Sequence, residues 1–339
     1  MGSKLDEIIK ETNKKANANI FMKGLNTYDC DRIPFTSPRM NHMTFGGLPI
    51  GRLIEFFGEE GGGKTTTALD IVANFQNMFP DKEVLYVDAE NTLDAQWAQK
   101  LGVDVDNLYL YQPESQSAEE IFDFICTCVE SGEVGLWVID SLAALMSGQE
   151  LDKGMDEATY AGISKSLTRF SKKIEMLNKQ YRCTGIGINQ IRDNLNSPWG
   201  GTTTPGGHGW KFFCSVRIEF RRGKYFDEKG NDLSRSAENP AGNYVLAHIE
   251  KTKTSSPSRK EGQYRIRYDI GIDYLADLVD VAILYNIIDK KGAWFTIIDT
   301  ETGDIIQDKI QGQANVFKLL DENMELAERV EQLVSKAME

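Results

Sequence analysis

No apolar run in this sequence approaches the ~20 residues that a membrane-crossing helix needs. The opening segment MGSKLDEIIKETNKKANANI is polar and charged and has no signal-peptide core. Cysteine is sparse: Cys30, Cys126, Cys128, Cys183 and Cys214 are an odd, scattered set, which reads as reduced thiols in a cytoplasmic protein. Cys126 and Cys128 have no second pair and no nearby histidine, which argues against zinc; both are expected to face the interior of one helix. Positive charge is also short. Lys plus Arg is 38 against 51 Asp plus Glu, a net −13, so bulk charge alone does not suggest a nucleic-acid binder. There is no low-complexity tract and no long linker. What remains is globular: 41% hydrophobic and 26% charged residues in 339, enough for one large domain with smaller appendages.

Residues 3–17 have the pattern of a short amphipathic helix, opened by Ser3 with Asp6 and followed by the extended piece IFMKG (20–24). A lone helix of that length is marginal in water, so its apolar face wants a partner, in the body or on another subunit. From about residue 50, apolar runs alternate with helical periodicity. RLIEFFG (52–58), EVLYVDAE (83–90), LYLYQ (108–112), GLWVID (135–140) and CTGIGINQ (183–190) are expected to be buried strands. Between them the pattern predicts helices over 64–79, 93–101, 117–131 (capped by Ser117 with Glu120) and 157–180. Strands alternating with helices argue for parallel βαβ units. FFCSVRIEFRR, NYVLAHIEKTK and GQYRIRYDI then predict an antiparallel extension, and a small αβ unit follows Gly271. Two long unpatterned segments, 147–162 and 192–209, are of the kind that is functional or disordered.

The segment GEEGGGKT (58–65) fits the phosphate-loop pattern G-x-x-x-x-G-K-[ST], with a strand before it and a helix after it. Bare glycines let successive N–H groups ring a phosphate chain, and the helix N-terminus adds its positive end. Lys64 is then expected to reach the β- and γ-phosphates of ATP, and the Thr65 hydroxyl to ligate Mg²⁺. A strand-end carboxylate should lie near the metal. Asp140 fits and Asp88 rivals it; either acid could simply end a strand. Hydrolysis also needs a group that orients water, for which Glu90 is the candidate.

GGLPIGRLIEFFGEEGGGKTT, YVDAENTLDAQWAQKLGVDVDNL, WVIDSLAAL, GINQIR, GGHGWKFFCSVRIEFRR and GAWF stand in the order and spacing of the bacterial RecA recombinases. From about residue 20 to the end, the chain resembles that family. The resemblance implies an α/β fold: a RecA-type P-loop ATPase core with a mostly parallel central sheet over 36–270, a short helix/strand oligomerisation arm over 1–35 and a small C-terminal αβ domain over 271–339. It implies that Gly58, Glu59, Glu60, Gly61, Gly62, Gly63, Lys64, Thr65 and Thr66 form the phosphate loop, and that Glu90 activates water. Asp94, Trp97 and Tyr268 would lie at the adenine, although the family usually has Tyr where Trp97 stands. Asp140 and Ser141 would end the metal-binding strand, and Gln190 would sense the γ-phosphate. Lys251 and Lys253 would reach a neighbouring subunit's ATP, and Phe212 would relay nucleotide state across that interface. The function implied is ATP hydrolysis coupled to a helical filament on single-stranded DNA, with homologous pairing to double-stranded DNA and strand exchange.

The two soft segments match the family's DNA-binding loops. Phosphates can be held by backbone N–H groups as well as by lysines, which reconciles an acidic chain with DNA. Arg169, Lys172 and Lys173 follow the first loop, and Arg192 and Lys211 flank the second, which carries Leu195, Trp199, Gly206, Gly207 and His208. Leu195 or Trp199 would wedge between bases. A plain solvated helix face is the rival explanation for Arg169–Lys173. Departures from the family pattern include Gly61 and Gly62 in place of two serines, a divergent first loop, and an end at VSKAME without an extended acidic tail. Two other functions use the same core: a ring-forming hexameric motor or helicase, and a regulatory ATP-binding module without strand exchange.

Overall fold

The computed structural model describes residues 4–16, 31–151, 162–193, 202–228, 230–234 and 236–338. It divides into two compact units, Met1–Asp31 and Arg32–Glu339. In the first, the helix Lys4–Ala16 has Asp6 and Glu7 in its first turn and Lys14 and Lys15 in its last, each sign complementing the helix dipole. Leu5 and Ile8 are exposed on it. Ser3 and the IFMKG piece lie outside the described residues.

The second unit is built on a ten-stranded sheet. Its main path runs Gly271–Ile272, Glu261–Arg267, Gly242–Thr252, Val216–Phe226, Leu53–Gly58, Thr184–Gln190, Val134–Asp140, Glu83–Asp88, Leu108–Tyr111. Pairing is parallel from Val216–Phe226 to Leu108–Tyr111 and antiparallel on the other side. The mixed α/β expectation with its antiparallel extension is met. Successive strand residues point to opposite faces. Ile54, Phe56, Val84, Tyr86, Leu136 and Val138 pack beneath the helix Lys64–Met78, whereas Leu53, Leu85, Val87, Trp137 and Ile139 pack beneath Ala118–Glu130 and Ser164–Tyr181. Continuous apolar runs are the signature of strands buried on both faces. Ser117 and Glu120 complete the expected capping box, an arrangement in which the cap is worth about 1 kcal/mol.

Several local expectations need correction. Leu108–Tyr111 is not a buried strand: among the described residues it ends the sheet, paired on one side only, and leaves Tyr109 and Leu110 exposed. Phe212 and Phe213 do not begin a strand. They close the helix Gly207–Phe213, and the strand starts at Val216. The second soft segment therefore ends at Gly206, and Gly207 and His208 are helical. Cys126 is buried but Cys128 is not, because residues two apart on a helix lie about 200° apart around its axis. The fourth helix is Ser164–Tyr181; residues 157–161, where it was expected to begin, lie outside the described set.

Beyond the sheet, the helix Tyr274–Leu284, the antiparallel strands Ile288–Lys291, Trp294–Ile298 and Ile305–Gln311, and the helices Gln313–Glu322 and Met324–Met338 share a separate core. The buried Asp277 carboxylate joins this part to the sheet part, accepting from the Ser37 hydroxyl and, at 2.9 Å, from the Arg39 N–H. Burial pushes the Asp277 pKa up to about 7.

Candidate nucleotide site and DNA-facing segments

The strand Leu53–Gly58 runs between Thr184–Gln190 and Val216–Phe226, with Gly58 opposite both Gln190 and Phe220. Gly58 has φ +147°, and a Cβ there would lie 1.9 Å from the Phe220 carbonyl oxygen, so the loop can leave the sheet only at a glycine. The helix Lys64–Met78 begins after Gly63 with no side-chain cap, leaving its first N–H groups for an anion. Lys64 folds back over the loop and donates to the carbonyls of Gly58 (3.1 Å) and Glu59 (2.6 Å). Burial lowers its pKa. Glu59 and Glu60 expose their side chains.

The choice between the two strand-end acids is decided by contacts. Asp140 Oδ2 accepts from Thr65 Oγ1 (2.7 Å) and from the Tyr86 hydroxyl (3.0 Å), and burial raises its pKa. Asp88 is occupied elsewhere. It accepts from the backbone of Thr92 and Leu93 (3.1 Å each) and from Gln112 Nε2 (3.0 Å), and so shapes the turn that carries Glu90. The Ala89 and Glu90 N–H groups donate to the Asp140 carbonyl, which ties that turn to the neighbouring strand end. Glu90 Oε1 accepts from the Ser141 hydroxyl and, at 3.0 Å, from Gln190 Nε2. Three residues far apart in the chain thus meet where parallel strands end.

A cavity of about 420 Å³ opens beside the loop. Its wall away from the phosphate glycines includes Thr66, Trp97, Arg222, Asn243, Ile266 and Tyr268. Trp97 Nε1 donates to Thr66 Oγ1 at 3.3 Å. Asp94 is not on that wall; its Oδ1 caps the helix Ala95–Lys100 by accepting from the Gln96 and Trp97 N–H groups, which fixes the ring beside the cavity. The Tyr268 hydroxyl donates to Asn243 Oδ1 at 2.9 Å, and Asn243 Nδ2 donates to the Tyr244 carbonyl at 2.9 Å. Burial raises the Tyr268 pKa. Sequence reasoning missed Arg222, Asn243 and Ile266. Arg222 lay within a quoted motif, but nothing local assigned it to this wall. Asn243→Ala should weaken nucleotide binding about 2- to 10-fold, the worth of one neutral hydrogen bond. Titration with a fluorescent ATP analogue checks this, and an unchanged Kd would show that Tyr268 needs no anchor.

The DNA-facing candidates are more dispersed. Arg169 and Lys172 lie on the helix Ser164–Tyr181 and line a second groove with Phe122, Phe170 and Met176; Lys173 pairs with Glu130 at 3.4 Å. Arg192 opens a two-residue strand that pairs with Thr202–Thr203 across the base of the second loop. Lys211 donates to Thr203 Oγ1 at 3.0 Å. Gly206 caps the following helix at φ +100°, packed so that a Cβ would meet Leu167 at 2.5 Å, and His208 is exposed on that helix. Leu195 and Trp199 lie outside the described residues. Lys251 and Lys253 are not on the cavity wall. Their ammonium groups donate to the carbonyls of Lys211, Phe212 and Phe213 at the end of the helix Gly207–Phe213, beside the exposed Phe212 ring.

A glycine loop between a parallel strand and an uncapped helix, with a lysine over it and a threonine bonded to a strand-end aspartate, defines a P-loop nucleotide-binding protein. The chain belongs to the RecA family: the model of the RecA N-terminal domain matches residues 3–273, and that of the RecA C-terminal domain matches residues 276–339. It is 35% identical over 296 residues to Protein RecA of Sulfurovum sp., covering 86% of this chain and 79% of that protein. It is 35% identical over 295 residues to Protein RecA of Acinetobacter baylyi (86% and 78%) and 33% identical over 290 residues to that of Clostridioides difficile (85% and 78%). Recombination and DNA repair are therefore its field of action.

Proposed function

We propose that this chain is a DNA-dependent ATPase that assembles as a helical filament on single-stranded DNA and carries out homologous pairing and strand exchange with a duplex. The reading assigns residues 1–35 to assembly, 36–270 to the ATPase and DNA-binding core, and 271–339 to a small C-terminal domain, in a cytoplasmic protein. No helix among the described residues is long and apolar enough to cross a membrane. The observation that carries the reading is the Gln190–Glu90 hydrogen bond at the end of the strand from which the second loop departs.

The hydroxyl of Thr65 and the carboxylate of Asp140 are hard oxygen donors at a phosphate loop, which suits Mg²⁺. When bound, the ion neutralises charge on the phosphates. Lys64 exchanges two loop carbonyls for phosphate oxygens. Glu90 accepts the proton of the attacking water, with Ser141 holding its carboxylate in place. Gln190 turns its amide from Glu90 to the γ-phosphate, which frees the base and pulls on the second loop in one movement. Trp97 and Tyr268 flank the base, with Asp94 holding the Trp97 helix. Lys251 and Lys253 of an adjoining copy stabilise charge developing on the phosphate, so that turnover depends on assembly. The open strand edge at Leu108–Tyr111, with Tyr109, Leu110 and the nearby Phe124 exposed, supports addition of another copy.

The test is joint-molecule formation between circular single-stranded DNA and linear duplex. Wild type with ATP and Mg²⁺ is expected to form joints, and Lys64→Ala to form none. A wild-type protein that binds ATP and single-stranded DNA yet forms no joints overturns strand exchange.

A further inference from the structure

The strand Val216–Phe226 carries three arginines, and two are engaged by acids. Arg217 is bound to the buried Glu55, and Arg221 makes paired bonds to Glu219 at 2.9 and 3.0 Å. Arg222 differs. Among the described residues its guanidinium meets no carboxylate and no carbonyl, and it lies 5.5 Å from the centre of the Tyr225 ring. It is exposed, and it lines the same cavity as the phosphate glycines, Lys64 and Tyr268.

Its proximity to the loop can be read from Gly61. A Cβ built there would come within 3.3 Å of Arg222 Nη1. Glycine at this position puts no side chain beside the guanidinium. Nearby acids work against a polyanion: Glu59 and Glu60 project from the loop, and the chain carries a net −13. Among the described residues, Lys64 is the other cation on the cavity wall. A planar group with several N–H donors is the residue type best suited to phosphate oxygens.

We infer that Arg222 is a further nucleotide-binding residue: an in-cis contact to the phosphate chain of the nucleotide, made from the antiparallel side of the loop. The inference rests on reading this cavity as the nucleotide site. Arg222 acts within one protomer, whereas Lys251 and Lys253 act between protomers, so its effect is present before any filament forms.

The test is equilibrium binding of ADP and ATP to the full chain without DNA, by calorimetry, at low and at high salt. Arg222→Gln should weaken both nucleotides about tenfold at low salt, the size of a charge-assisted hydrogen bond at an open site. The difference should shrink at high salt, where screening weakens the wild-type contact. Arg222→Lys should recover part of the loss by restoring charge without the planar fork. Arg222→Gln binding as tightly as wild type overturns the inference. So does a loss that is equal at both salt concentrations and is not relieved by lysine, since that marks a structural role. A wild-type chain that binds neither nucleotide overturns the site reading, and this inference with it.

Discussion

Glu90→Gln is expected to lower DNA-stimulated ATP turnover by about 10²- to 10⁴-fold, the range for loss of a positioned general base. Glutamine keeps the shape of the side chain and an oxygen that can accept from the Ser141 hydroxyl, the contact that holds Glu90 in this structure. The backbone anchor is untouched, because the Ala89 and Glu90 N–H groups bond to the Asp140 carbonyl whatever the side chain. ATP and single-stranded DNA binding should therefore survive, and the variant should accumulate in the ATP-bound, DNA-gripping state. Glu90→Ala is a less selective change. It removes the acceptor shared by Ser141 Oγ and Gln190 Nε2, and so also disturbs the group proposed to report the γ-phosphate. Phosphate release and DNA anisotropy, measured on the same preparation, separate the two effects. Turnover within about threefold of wild type, far below the loss expected for a general base, would mean that another group activates the water.

Arg217→Ala should destabilise the protein by about 3–5 kcal/mol, the usual result of removing one partner from a buried ion pair. Glu55 is fully buried and accepts from Arg217 Nε and, at 3.0 Å, from Asn189 Nδ2. Asn189 Nδ2 also reaches the Pro205 carbonyl at 3.0 Å, so the pair is linked to the segment that closes the second loop. The Arg217 guanidinium packs 4.6 Å from the centre of the Phe57 ring, one residue before the phosphate loop. Removing the guanidinium leaves a fully buried carboxylate without its directly bonded counter-charge in the middle of the sheet. Replacing both partners, as in Glu55→Gln with Arg217→Met, should cost far less, because no unpaired charge is left behind. Urea midpoints for the single and double variants check this. A single-variant loss below about 1 kcal/mol, well under the cost of an unpaired buried charge, would show that water or rearrangement satisfies Glu55.

Local pattern was most informative where local forces decide the conformation. The glycine loop, the capping box at Ser117 and the doubly buried strands all declare themselves within a few residues. It was less informative where two elements satisfy the same pattern. Asp88 and Asp140 each end an apolar strand, and no spacing separates them. The strand order does: Val134–Asp140 lies nearer the loop-bearing strand, and Asp140 reaches Thr65, while Asp88 faces a turn that needs its oxygens. Aromatic content also misled at Phe212 and Phe213. Those rings suit a strand, but the glycine start at Gly206 and the buried Trp210 make the segment helical.

The linear order of residues by itself determined the phosphate loop, its lysine and threonine, the alternating core and the family likeness, because each depends on neighbours within a turn, a strand or a motif. Only the tertiary structure decided which carboxylate meets Thr65, which partners hold Glu90, and that Arg222 and Asn243 wall the same cavity as Gly61. Those meetings join segments far apart in the sequence, 51 residues for Glu90 with Ser141 and 100 for Glu90 with Gln190, and the order and direction in which strands pair is a property of the whole sheet.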